Sequence, residues 1–389
     1  MTSNNAPSSP RVFAVIAGGG TAGHMIPALA IAEQLVDRGR SPRSVAFVAS
    51  RREVDARLLA DTDHPRVFLD VDGLQRSLAP RAVLRSLMAV PKMLVGTARA
   101  TQQLRLWRPR VVVSVGGFAS EPAVRAARAL RIPVVVVSYD QTPGLATRRQ
   151  AKHAAAVAVA FAGSSLPGAR HTGAPVRNAV RRLVHTVAGD DSARVRSARV
   201  FGLDPRRRIV VAMGGSLGSR VINEAVERWV KANAQRQDVA VLHLAGERFV
   251  EHAPNDGEPP TTLAGTGGIQ YVRRASHAEM SQVWSLADAV VCRAGASTIA
   301  ELVAVGAPAL VVPWAESADG HQLQNARWLG QAGAALVVEE HELEASFDAR
   351  LGLLVDDAVL RERLASKSYA LGALNRSSAI GSIIEAAAR

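Results

Sequence analysis

Along the chain, short continuous apolar runs alternate with longer stretches whose apolar positions recur at helical spacing. The runs at 12–16, 44–49, 66–71, 110–115, 133–137 and 157–160 read as strands, and a continuous apolar run is what a strand buried on both faces of a parallel sheet requires. The plan restarts at Ile209, with strands at 209–213, 239–244, 269–272, 289–292 and 309–312 and a last one near Leu336. Helical spacing fills the intervals, as at 27–38, 122–130 and the final 357–365 and 376–388. Each half opens on a strand, a glycine turn and a helix. The pattern predicts an α/β protein of two Rossmann-like domains facing across a cleft, with ligands at the strand C-termini. The domain expectation is a disordered tail at 1–10, an N-terminal domain at 11–185, a linker at 186–208, a C-terminal domain at 209–370 and a C-terminal helix at 371–389. That helix can pack back on the N-terminal domain.

Polar residues gather at the predicted strand ends. The first strand runs into Gly18-Gly19-Gly20-Thr21-Ala22-Gly23-His24, formally a G-x-G-x-x-G turn. A dinucleotide domain would want an acid closing the second strand. Here Ser50-Arg51-Arg52 stands there, wrong for NAD but compatible with an NADP 2′-phosphate, so an NADP oxidoreductase stays open. A second glycine turn, Gly116-Gly117-Phe118, lies on the same predicted rim, and Gly214-Gly215-Ser216 opens the second half. A turn of that type admits a diphosphate to the N–H groups of the following helix, with Ser216 as an extra donor or simply as the helix N-cap. From 288 to 325 two more strand–loop–helix units follow, with Ser297 and Thr298 as N-cap types and Glu301 in capping-box spacing. Glu301 suits a ribose diol if capping leaves it available. Gln322 and Asn325, three apart on one helical face, offer the donors and acceptors that sugar hydroxyls need. His24, at a loop tip, is the one imidazole placed to take a proton from an acceptor hydroxyl.

Composition narrows the classes. At 389 residues, 48% hydrophobic and 21% charged, the chain is globular with room for two cores. One cysteine, Cys292, excludes a disulfide framework and fits a reducing compartment; at the end of an apolar strand it reads as a core thiol. No apolar run reaches membrane-spanning length, so the chain reads as soluble or peripheral. The net charge of +13 points to phosphorylated ligands, an anionic membrane surface or nucleic acid, but 4% aromatic content speaks against base stacking. A basic amphipathic region at 78–100 reads either as helix–loop–helix broken by Pro80 and Pro91 or as an interfacial patch. Asp70 and Asp72 make a D-x-D match that, without converging carboxylates, predicts no metal.

The motifs GGGTAGH, GGFAS, GAPVR, GGSLGSR, RAGASTIAE and HQLQNA, spread over nearly the whole chain, resemble the MurG family of two-domain GT-B glycosyltransferases. The resemblance implies metal-independent, cofactor-free, inverting transfer of N-acetylglucosamine from UDP-N-acetylglucosamine to lipid I, the undecaprenyl-pyrophosphoryl-linked muramyl-pentapeptide, forming lipid II in peptidoglycan synthesis. It also implies a peripheral place on the cytoplasmic face of the plasma membrane, with 78–94 as the membrane-facing patch and no nucleic-acid partner. Carried onto this chain, it makes His24 the base, helped by Asp140, with Thr21, Ala22 and Gly23 lining the donor sugar and diphosphate. Arg177 and His277 frame uracil, Ser216 touches the diphosphate, Ala296, Ser297 and Thr298 support phosphate and sugar, Glu301 holds ribose, and Gln322 and Asn325 read the sugar. The chain departs from the family after its fifth strand, where H-E-x-N becomes Val137, Ser138, Tyr139, Asp140. Ala22, Ala174 and Leu217 also replace common family residues. The changed loop lies on the acceptor side, so a paralogue with another lipid or natural-product acceptor, or a UDP-sugar-binding protein without turnover, stays open beside the family reaction.

Overall fold

The computed structural model describes residues 12–71, 80–183, 191–215, 217–250, 268–317 and 320–389, with the side chains of 80–90 excepted. The expected tail at 1–10, Asp72, Ser216 and, within the basic patch at 78–94, residues 78–79 and the side chains of 80–90 therefore lie outside the described residues. The chain forms two compact units, one ending at Asn178 and reclaiming Ser377–Arg389, the other running from Ala179 to Arg376.

The first unit contains β1 (Ala14–Ala17), α1 (Ala22–Asp37), β2 (Val45–Ser50), α2 (Glu53–Leu59), β3 (Arg66–Leu69) and α3 (Pro80–Trp107). It continues through β4 (Val111–Ser114), α4 (Glu121–Ala129), β5 (Val134–Ser138), α5 (Leu145–Ala151), β6 (Ala156–Val159) and β7 (Ala169–His171). A short α6 (Asn178–Arg181) follows at the unit boundary. The strands form one parallel sheet in the order β3-β2-β1-β4-β5-β6-β7. β1, β2, β4 and β5 are buried at every position, which is why their sequences lack alternation.

The second unit holds α7 (Asp191–Phe201), β8 (Arg208–Met213), α8 (Arg220–Ala232), β9 (Val239–Leu244), β10 (Gln270–Arg274), α9 (Met280–Trp284) and β11 (Ala289–Cys292). Then come α10 (Ala296–Val305), β12 (Ala309–Val311), α11 (His321–Gln331), β13 (Leu336–Val337), α12 (Leu343–Asp356) and α13 (Ala358–Leu371). Its parallel sheet runs β10-β9-β8-β11-β12-β13. The last helix, α14 (Ala379–Ala387), returns to the first unit, burying Ile380 and Ile384. In both sheets the first strand sits where the strand order reverses, between β2 and β4 and between β9 and β11. Ligands of open α/β sheets bind at such switch points, outside the strand C-termini.

Three local expectations are corrected. α3 is one helix from Pro80 to Trp107, continuous through Pro91, because its packing against β3 and α4 outweighs the single backbone bond that proline removes. α1 begins at Ala22, five residues before the predicted start, which puts Ala22, Gly23 and His24 in its first turn. Part of the segment read as linker, Asp191–Phe201, is α7 of the second unit, with Arg194 on Asp288 through two hydrogen bonds of 2.7 and 3.2 Å. Among the described residues no helix is long and apolar enough to cross a membrane.

Candidate functional site

At the first unit's switch point the turns after β1 and β4 lie side by side, and they frame His24. The ring is half-buried, its Nδ1 lies 3.0 Å from the Thr21 hydroxyl, and its edge faces Tyr139 with ring centroids 6.3 Å apart. A Cβ on Gly117 would stand 2.9 Å from Nε2, and Gly117 has φ +72°, so only glycine fits beside this imidazole. Burial lowers the His24 pKa from its ordinary 6.5, and the negative charge of Asp55 opposes the shift. The ring is therefore neutral at neutral pH. It can accept a proton at Nε2 when Nδ1–H donates to Thr21.

Thr21 and Gly23 are exposed and Ala22 half-buried around that turn. Tyr139 is buried and its hydroxyl has no hydrogen-bond partner; burial, then the charge of Asp140, pushes its pKa well up, so the phenol stays protonated. Half-buried Asp140 follows directly. Arg177 also belongs to this unit, where its Nε donates to Glu33 of α1 at 2.6 Å.

The second unit's rim gathers four of its turns. Ser219 is the N-cap of α8, its hydroxyl accepting from the Ile222 N–H at 3.4 Å, so the cap falls three residues after the one predicted. Arg293 ties the β8 turn to the β11 turn, donating to the Ser219 hydroxyl at 2.7 Å while it pairs with Glu340 at 2.5 Å. α10 starts at Ala296 with Gly295 as N-cap, which corrects the capping-box reading: Ser297 and Thr298 lie in the first turn. Glu301 instead takes the Trp284 indole N–H at 2.7 Å and is 8% exposed. The Ser297 hydroxyl and the Asn325 Oδ1 are buried without partners, while Asn325 Nδ2 donates to the Ala294 carbonyl at 3.0 Å. Orphaned polar atoms of this kind, beside a helix N-terminus, suit a ligand that brings hydroxyls and phosphate oxygens. Gln322 reaches back to the Trp314 N–H at 3.0 Å. His277 follows β10, held by Gln282 at 3.0 Å and by the Phe201 ring edge at 4.7 Å between centroids.

Two family models match, the glycosyltransferase family 28 N-terminal domain over 14–159 and its C-terminal domain over 209–375. The chain is 35% identical to the UDP-N-acetylglucosamine–N-acetylmuramyl-(pentapeptide) pyrophosphoryl-undecaprenol N-acetylglucosamine transferase of Paenarthrobacter aurescens, over 96% of each chain. The chain belongs to the MurG family. A relative of the same description from Anaeromyxobacter is 35% identical over 92% of this chain and 89% of its own. The crystal structure of Acinetobacter baumannii MurG superposes with a TM-score of 0.64 at 25% identity, covering 92% of this chain and 94% of that one. The glycotransferase of kitacinnamycin reaches the same TM-score at 16% identity, a likeness of fold.

MurG membership sets aside the NADP oxidoreductase, and the structure supplies a reason. The Gly20 N–H that a dinucleotide's pyrophosphate would need already donates to both oxygens of Asp55, at 2.8 and 3.0 Å. Of the D-x-D match, Asp70 pairs with Lys92 at 3.2 Å and Asp72 lies outside the described residues. Cys292 is fully buried, its thiol pushed up to about 12 by burial, and it is a core residue.

Sequence reasoning missed four residues that hold these rims. Asp55 lies on a helix that carries no motif, and His243 is one polar position inside a buried strand. Asn223 and Tyr271 bind the two nitrogens of His243, at 3.0 and 2.7 Å. His243 interrupting an apolar run was the only signal, and it names no partner.

Proposed function

We infer that this protein transfers N-acetylglucosamine from UDP-N-acetylglucosamine to undecaprenyl-pyrophosphoryl-linked N-acetylmuramyl-pentapeptide, lipid I, yielding lipid II. The carrying observation is 35% identity over 96% of the chain to a transferase of that description. In this reading the acceptor hydroxyl loses its proton to Nε2 of His24 while its oxygen attacks the anomeric carbon from the face opposite UDP, so configuration inverts. Thr21 keeps the ring in the accepting tautomer, and Asp140 assists from beside Tyr139. Thr21, Ala22 and Gly23 border the sugar.

Charge grows on the leaving diphosphate. The N-termini of α8 and α10, with Ala296, Ser297 and Thr298, meet it with fixed donors, and Ser216 adds its hydroxyl. Glu301 takes ribose, Gln322 and Asn325 the sugar hydroxyls, and Arg177 and His277 the uracil. No step calls for a metal. The enzyme works peripherally at the cytoplasmic membrane face; on α3, Leu94 and Val95 are 64% and 53% exposed, an apolar pair suited to a lipid surface.

The test is UDP release from UDP-N-acetylglucosamine with EDTA present, with and without a lipid I analogue. Release that needs the acceptor and resists EDTA is the expected result, with kcat falling about 10²–10⁴-fold in His24→Ala at unchanged donor affinity. Donor binding without lipid I-dependent release would move the search to other acceptors, where the Val137–Asp140 departure points. Near-normal turnover by His24→Ala would remove that residue from the base role.

A further inference from the structure

Asp55 is fully buried, yet among the described residues its carboxylate has no arginine or lysine at ion-pair distance. Its negative charge is met by donors of the first glycine turn and of the β2 end. Gly20 N–H donates to both oxygens at 2.8 and 3.0 Å, Ser50 N–H donates at 3.0 Å and the Ser50 hydroxyl at 2.6 Å. The same turn is clamped from its other side, Arg52 Nη1 donating to the Gly20 carbonyl at 2.9 Å. Burying an ionised carboxylate is costly unless it is hydrogen-bonded this fully, and removing it would strand three donors. Such an arrangement holds the turn in one conformation. The next residue, Thr21, caps α1 and touches His24.

We propose that Asp55 is a positioning residue for the transfer: its carboxylate fastens the glycine turn that presents Thr21 and His24. The proposal rests on the reading of His24 as base, and its test separates the two. Among the described residues, the charged and titratable groups about that turn are Asp55 from α2, Arg52 on the turn carbonyl, and Tyr139 with Asp140 after β5. Asp55 is the one whose field reaches His24 strongly enough to oppose burial. A buried negative charge held by the turn that carries a base favours the protonated form of that base, without touching the substrate.

The experiment follows the His24 ring by carbon-detected histidine NMR titration in the full-length protein, wild type against Asp55→Asn and Ser50→Ala. It is paired with kcat and KM profiles of UDP release from pH 5 to 8. Asp55→Asn removes the charge at constant size. It is expected to lower the His24 midpoint by roughly one pH unit, to carry the acid limb of kcat down with it, and to reduce plateau kcat at least tenfold while the donor KM changes less than threefold. Ser50→Ala keeps the charge and deletes a donor that shields it, so the His24 midpoint rises; this opposite sign stands even if Asp55→Asn fails to fold. An unchanged midpoint in Ser50→Ala together with an unchanged or unobtainable midpoint in Asp55→Asn overturns the proposal. Midpoints that move while the kcat limb stays fixed uphold Asp55 and overturn His24 as the base.

Discussion

In β9, His243 is fully buried with both ring nitrogens engaged. Asn223 Nδ2 donates to the Ala245 carbonyl at 3.0 Å, which turns its Oδ1 toward His243, so Nε2 carries the hydrogen and Nδ1 accepts from the Tyr271 hydroxyl. Burial first, and the charge of Arg273 second, lower this histidine to about 3. The unfolded chain, with an ordinary value of 6.5, binds the proton that the folded chain refuses. Stability is therefore intact above 6.5 and is lost as pH falls from there toward about 3, at no more than about 1.4 kcal/mol per pH unit. Urea unfolding of the second unit from pH 7 to 4 is expected to show this slope in wild type and a shallower one in His243→Gln. Equal slopes would place the proton elsewhere. Asn223 lies in the first turn of α8, beside the turn that carries Ser219, so the same network supports the second unit's rim.

Elements pack here through backbone as much as through side chains. α13 ends at Gly372, where a Cβ would stand 1.9 Å from the Val303 carbonyl oxygen of α10, with backbone on both sides and nothing flexible to yield. α10 carries Ala296–Glu301, so this contact seats that helix from behind. Gly372→Ala is expected to cost about 1–3 kcal/mol in denaturant unfolding of the second unit, the scale of overpacking a tight contact. Gly352→Ala, inside α12 with open space at its Cβ, serves as the control and is expected to gain about 0.5–1 kcal/mol. Equal behaviour of the two would mean that α10 and α13 separate easily. The strands were legible because burial on both faces leaves an unbroken apolar run. The helix starts were not: Ser297 and Thr298 have N-cap chemistry, but the chain turns at Gly295, and Glu301, placed for a capping box, is drawn to Trp284 by tertiary packing.

At the scale of the whole molecule, the chain closes the first unit with its last helix. Ile380, Ile383 and Ile384 of α14 are buried, and Glu385 holds Arg38 at 2.6 Å and Arg40 at 3.1 Å. The domain expectation had this helix able to pack back in this way; its own apolar face named no partner. Ending the chain at Arg376 removes three isoleucines worth on the order of 5 kcal/mol together. Hydrogen exchange is expected to show lost protection in β4, β5 and β6, which α14 covers, with β8 and β9 unchanged. Unchanged protection in β4–β6 would mean that the first unit is complete without α14.

What the sequence determined by itself was the repeated strand–turn–helix order, the two parallel sheets, the glycine turns and the identity of the motifs, because each is written in neighbouring residues. Fold class and family followed from those. The tertiary structure decided which buried polar groups meet: Asp55 with Gly20, Glu301 with Trp284, Arg293 with Ser219 and Glu340, His243 with Tyr271 and Asn223. Those partners lie 17 to 74 residues apart in the chain and share no period. A hydrogen bond specifies a distance and an angle in space, and only the packing of one element on another can supply them.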